Sequence, residues 1–168
     1  ISKNYPGHIM FTLEDELERE MLWGDFLKAA IVALSRKYEL RRGIKGVIEG
    51  TLPVGGLSSS AAVILTYLNA VCIANDIQIT RPEIISNAIW AERNYIGVNV
   101  GKLDQSCEVY CRKNGLLFLD TLDDSNEIIP VSSNMKPFEI MIVFGGKERQ
   151  LAGSAYNTRV DECKAAAY

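Results

Sequence analysis

At 168 residues, 48% of them apolar, the chain has the length and the apolar content for one domain around one sizeable core. Its 18 Lys and Arg against 21 Asp and Glu give a net charge of -3 at pH 7 and a pI near 5.3, which excludes a basic footprint for nucleic acid or for an anionic membrane surface. No apolar run approaches the roughly 20 residues of a bilayer span, and the opening "ISKNYPGHIMF" lacks a signal-peptide layout, so a soluble, cytoplasmic protein handling a small molecule is expected.

In chain order, Trp23, Phe26, Leu27, Ala30, Ile31 and Leu34 fall at i, i+3, i+4, i+7, i+8 and i+11, one face of an amphipathic helix predicted to end near Arg41-Arg42-Gly43. Weak alternation closed by Pro53 predicts a strand from Lys45 to Leu52. From Ser60 to Asn75 the residues are apolar on almost every side and rich in Ala and Leu, which predicts a buried central helix. Thr80 with Glu83 three residues later and Pro82 between them forms a capping-box start for a helix running to Tyr95. A glycine-punctuated loop, "IGVNVGKLDQ", leads to a short helix from Gln105 to Cys111. "GLLFLD" and "FEIMIVF" read as strands, the second apolar enough to be central in a sheet. Tyr156, Val160, Cys163 and Ala167 recur at helical spacing in a last helix. The class is therefore α+β, layered helices on a mixed sheet, in one domain. The absence of an initiator Met and the stop at "DECKAAAY" inside a predicted helix lead to the expectation that the chain is truncated at both ends.

The chemistry concentrates in three stretches. In "GTLPVGGLSSSAAV" a strand, a glycine-rich turn and the start of a buried helix bring unpaired backbone N–H groups and the positive end of a helix dipole to one point, an anion site. Gly55 and Gly56 allow close backbone approach, and Ser58, Ser59 and Ser60 add hydroxyls for capping, for phosphate oxygens or for a Mg2+ ion. A well-capped helix alone needs one serine, not three. The stretch is not a Walker A loop, since no G-K-[ST] follows. A serine hydrolase is disfavoured because "GLSSSA" lacks the second glycine of a nucleophile elbow and the single histidine, His8, lies in another segment.

The second stretch, "AERNYIGVNVGKLDQS", places Glu92 near a helix end and Asp104 after a glycine-rich loop, an acid pair able to serve a metal and a base. Either acid alone would more commonly be solvated or capping. The third, "GSAYNTRVDEC", sets Tyr156 and Arg159 on one side of a helix start that Asn157 can cap. Cys107 and Cys111 stand at i, i+4, but no further Cys or His is near enough to complete a zinc set, so all four cysteines are expected to be reduced, mostly buried thiols.

Together these stretches resemble the GHMP small-molecule kinases, and within them the galactokinase branch of sugar 1-kinases. "LPVGGLSSSAA" is similar to the motif P-x-G-x-G-L-[SG]-S-S-A, one residue shorter because Gly55 and Gly56 are adjacent; "ERNYIGVNVGKLDQ" is similar to E-x-x-[FY]-x-G-x-x-x-G-x-x-D-Q, and "LAGSAYNTRVDEC" to a stretch containing Y-N-x-R-x-x-E-C. "WGDF" at Trp23 resembles the branch's W-x-x-Y helix.

The resemblance implies that residues 1–168 form most of a GHMP N-terminal, ATP-phosphate-binding domain, with the C-terminal domain absent, and that the sequence is a fragment inactive by itself. It implies ATP and Mg2+ as cofactors and transfer of the γ-phosphoryl group to the anomeric hydroxyl of a hexose. Gly55, Gly56, Leu57, Ser58, Ser59, Ser60 and Ala61 would hold the phosphates; Ser60 and Glu92 would bind the metal; Asp104 would be the catalytic carboxylate; Gly101, Asp104 and Tyr156 would contact the sugar. The short loop and "DTLD" at Asp120 to Asp123 bring the chain nearer to galacturonokinase-like members, and Lys102, expected to lower the pKa of Asp104, would favour an acidic sugar. The alternatives are a non-catalytic sensor that binds sugar and ATP, for which an intact Asp104 is not needed, and a GHMP kinase for mevalonate or homoserine, disfavoured by Asp104-Gln105 and Tyr156-Asn157.

Overall fold

The computed structural model describes residues 1–51, 56–132, 134–136, 138–143 and 155–167. Five α-helices and one antiparallel strand pair follow in the order α1 (Asp25–Ser35), α2 (Ser59–Ala74), α3 (Arg81–Trp90), α4 (Leu103–Tyr110), β1 (Gly115–Leu119), β2 (Asn126–Pro130) and α5 (Tyr156–Ala166). The α+β class read from the sequence holds.

The core lies between α1 and α2 and is closed by α3 and its extension. Ala29, Ala30 and Ala33 let α1 approach α2 closely, and Leu34 joins Ile64, Leu68 and Val71 of α2 in one buried cluster. Each such aliphatic side chain contributes about 1.5–3 kcal/mol when fully removed from water. The α2 helix begins and ends within one residue of the expected span, although Ala62, Thr66, Asn69 and Ile73 form an exposed stripe rather than a wholly buried surface.

The α1 helix stops at Ser35, short of the expected Arg41-Arg42-Gly43. Asn75, past the end of α2, captures that backbone first: its Oδ1 accepts from the N–H groups of Arg41 and Arg42 at 2.7 and 2.8 Å, and its Nδ2 donates to the Arg42 carbonyl. At α3 the expected capping box is half made. Thr80 is the N-cap without a side-chain bond, while its backbone N–H and, more strongly, the Tyr38 hydroxyl hold the Glu83 carboxyl below the usual carboxylate range.

Two expected strands do not form among the described residues. The first, Lys45 to Leu52, shows over its described residues a single parallel bridge between Ser2 and Ile48, and residues 138–143 of the second carry no strand pairing; Leu52 and Phe144 lie outside the described residues. A strand is stable only beside another strand, and among the described residues the first segment meets residues 1–3 over that one bridge while the second has no paired neighbour. The expected β1 does form, because β2, whose "NEIIP" carries too little alternation to be read in advance, pairs with it from Gly115↔Pro130 to Leu119↔Asn126. A Cβ at Gly115 would meet Ile128 Cγ2 at 2.7 Å, so only glycine fits this close approach.

Candidate functional site

The glycine-serine turn delivers its hydroxyls to the start of α2. Gly56 has φ +81°, and Ser58, the N-cap, is itself left-handed with φ 57°. The Ser58 side chain makes no capping bond, so the opening N–H groups of α2 keep the unpaired character of a helix start. Gly55 lies outside the described residues.

The α3 helix does not end at Trp90 but continues as one π-helical turn, Ala91–Ile96. Gly97 closes that turn in the left-handed conformation, φ +81°, and the Val98 N–H returns to the Glu92 carbonyl at 2.9 Å. Wider π-helical winding places Glu92 at the packed face, where it is 2% exposed. Two further groups brace the loop that follows: Arg93 donates from Nε and Nη2 to the Val100 carbonyl, and Asn157, from the first turn of α5, donates to the Gly97 carbonyl and accepts from the Asn99 N–H. So the expected capping role of Asn157 is replaced by a clamp between α5 and the loop. That loop launches α4, whose first turn carries Asp104 and Gln105.

The result is a compact polar cluster at the α2 N-terminus. Burial pushes the Glu92 carboxyl up; the Ser60 hydroxyl and the Gln105 amide, both hydrogen-bonded to it, pull the other way, and the nearby Asp104 charge adds to the rise. Gln105 donates from Nε2 to Glu92 Oε2. Ser60, Glu92 and Asp104, predicted separately, are therefore gathered in one place. Gly101 sits exposed in the braced loop, and Tyr156 is half-buried against the core at the start of α5, next to the Asn157 clamp.

Two expectations need correction. The Lys102 ammonium turns to Asp124 in the β1–β2 turn rather than to Asp104. Cys111 and Cys163 are exposed and Cys107 is half-buried, leaving Cys72 as the buried thiol, because the later helices present those faces to solvent. The stretch also contains a titrating group that periodicity does not single out: Glu108, one turn beyond Asp104, has its carboxyl pushed up to about 7 by desolvation against the cavity wall and by the charges of Asp104 and Glu92, although the residue as a whole is exposed. Glu108 lines a cavity of about 580 Å3 together with Leu57 and Ala62 from the start of α2, Leu65, Ile84 and Val109.

Among the described residues no three His, Cys, Asp or Glu side chains converge as a metal cage. Ser60, Glu92 and a buried Gln105 Oε1 with no hydrogen-bond partner are all oxygen donors of the kind a hard cation prefers. No helix of the described residues is long and apolar enough to cross a membrane.

Residues 25–112 match the family described as the GHMP kinases N terminal domain. The chain is 35% identical over 154 residues to a galacturonokinase of Arabidopsis thaliana, covering 89% of this chain and 36% of that protein. It is 34% identical to a galactokinase of Thermococcus kodakarensis, covering 94% of this chain and 44% of the other. The crystal structure of Lactococcus lactis galactokinase complexed with galactose superposes with a TM-score of 0.89 at 32% identity, over 99% of this chain and 44% of that one. The chain thus spans less than half the length of these relatives.

Proposed function

This chain belongs to the GHMP kinase family, and on that premise we propose that it is the N-terminal, phosphate-binding part of a longer kinase that transfers the γ-phosphoryl group of ATP to the anomeric hydroxyl of a hexose of the galactose or galacturonate class. The observation that carries the reading is the single cluster of Ser60, Glu92 and Gln105 beside Asp104 at the α2 N-terminus. Similarity to relatives named for these two sugars supports the substrate class.

In this reading the glycine-serine turn from Gly55 to Ala61 receives the phosphates on backbone N–H groups, where the helix dipole favours negative charge. Ser60 and Glu92 hold Mg2+, which when bound neutralises charge on the phosphate oxygens. Asp104 accepts or orients the proton of the sugar hydroxyl, and its position in the first turn of a helix anchored on both sides fixes the direction of approach. Gly101 leaves room at the loop surface, and Tyr156 provides an aromatic edge at the start of α5; both face the sugar. Lys102, paired with Asp124, would have to leave that partner to meet a sugar carboxylate, so galactose is the first substrate to assay.

The test uses the full-length protein, with galactose and galacturonate as separate acceptors in an ATP-coupled assay. Removing one positioned proton acceptor costs about 10²–10⁴-fold in rate, and that is the loss expected for Asp104→Asn with unchanged melting temperature. Turnover of either sugar at the wild-type rate by that variant would remove Asp104 from the chemistry.

A further inference from the structure

Gln105 is 1% exposed, follows Asp104 directly in the first turn of α4, and spends its amide unequally. Its Nε2 donates to Glu92 Oε2, as it must toward a carboxylate that can only accept, whereas its Oε1 is buried and has no hydrogen-bond partner among the described residues. An unsatisfied buried acceptor costs about 1–3 kcal/mol, so an apolar side chain of the same size would serve packing better. The orphaned oxygen needs a proton donor that arrives with a ligand. A hydrated divalent cation brings such donors, because Mg2+ keeps several of its waters when bound.

We propose that Gln105 is a positioning residue for the cation: its nitrogen fixes the Glu92 carboxylate, and its unpaired oxygen accepts a hydrogen bond from water carried by the ion. The inference rests on the kinase reading above and adds to it a link between the two acids. One amide joins the first turn of α4, which carries Asp104, to the π-helical turn that carries Glu92, so the base and the metal ligand share a single alignment. Partners of this kind behind a ligand typically change metal affinity by about 10–100-fold.

The full-length protein is titrated with Mn2+ by electron paramagnetic resonance in the presence of a non-hydrolysable ATP analogue. Gln105→Met keeps the volume and removes both polar atoms; it is expected to weaken Mn2+ binding about 10–100-fold while the melting temperature and the KM for hexose hold. Unchanged Mn2+ affinity overturns the proposal. If Gln105→Met lowers the melting temperature, the Mn2+ titration is repeated well below both transitions, where circular dichroism shows variant and wild type equally folded: a loss of about 10–100-fold that persists there supports the role, and wild-type affinity there overturns it. Wild-type protein that binds neither Mn2+ nor the nucleotide analogue overturns the kinase reading and this inference with it, whereas wild-type binding with an unaffected Gln105→Met variant overturns this inference alone.

Discussion

From α1 to α4 most large apolar side chains are hidden, with Leu34, Ile64 and Leu68 wholly buried and Val47, Ile73 and Leu103 the exposed exceptions, whereas from β1 to residue 143 most stand in water, with Leu122 at 93% and Ile140 at 82% exposure. The composition of the two regions does not explain the contrast, since "FEIMIVF" is as apolar as any stretch of α2. The difference lies in where each backbone finds its hydrogen bonds. A helix pairs within itself and needs neighbours only for one face, so local sequence suffices to form it. A strand needs a second chain segment of complementary edge, and β1 and β2 supply that only to each other. The candidate site lies wholly on the helical side of this divide, save for Tyr156 and Asn157 of α5, which reach it from beyond the exposed segment.

The largest expected effect sharpens the contrast directly. Leu68→Ala should cost about 2–5 kcal/mol in urea unfolding, since it opens a cavity between α1 and α2 that rigid neighbours cannot collapse. Ile140→Ala should change stability by no more than about 0.5 kcal/mol, because the side chain has little to lose. Equal losses for the two would mean that the exposed segment is packed in solution and the contrast is void.

A smaller effect probes the bridge between the regions. Asn157→Ala removes two hydrogen bonds that tie α5 to the loop ahead of Asp104, at about 1 kcal/mol each. The expected outcome is faster amide exchange at Asn99, with α1 and α2 protection unchanged; retention of Asn99 protection would show that Arg93 alone holds the loop.

The same divide governs what the sequence could disclose. The spans of α2 and α3 were legible because periodicity is a local property, and the start of α3 because Thr80, Pro82 and Glu83 sit at fixed offsets. The overrun at α1 came from Asn75, 33 residues beyond Arg42, whose capture of that backbone no window around residue 41 can reveal. Likewise Ser60, Glu92 and Asp104 were legible as residue types at motif spacing, yet what joins them was not. The π-helical turn at Ala91–Ile96 carries no pattern distinct from an α-helix, and the Gln105 bond, the Arg93 brace and the redirected Lys102 exist only once the loop has folded. Glu108 was passed over because its character comes from neighbours rather than from its own place in a pattern.

Glu108 is itself exposed, so solvent screens the charges around it, and it supplies the smallest expected effect, one that separates the regions by pH. In the folded chain its carboxyl is pushed up to about 7, against 4.5 in the unfolded chain, so the native state holds this proton over a window where the unfolded chain has released it. Stability falls wherever the native state binds more protons than the unfolded one as pH rises. The contribution of Glu108 is thus fully present below about 4.5 and is lost as pH climbs through about 7. Glu83, held below the usual carboxylate range by Tyr38, runs the opposite way: its contribution is present above 4.5 and is lost only on acidification below it. Above pH 5, then, the declining terms belong to Glu108 and to Glu92, whose carboxyl is also raised, and Glu108→Gln isolates the first. Urea midpoints of the wild type should drop across that range, and Glu108→Gln, which keeps a neutral group at every pH, should flatten the drop. A wild-type slope that survives the substitution undiminished would assign the whole decline to Glu92 and leave the charges of Asp104 and Glu92 without their expected effect on Glu108.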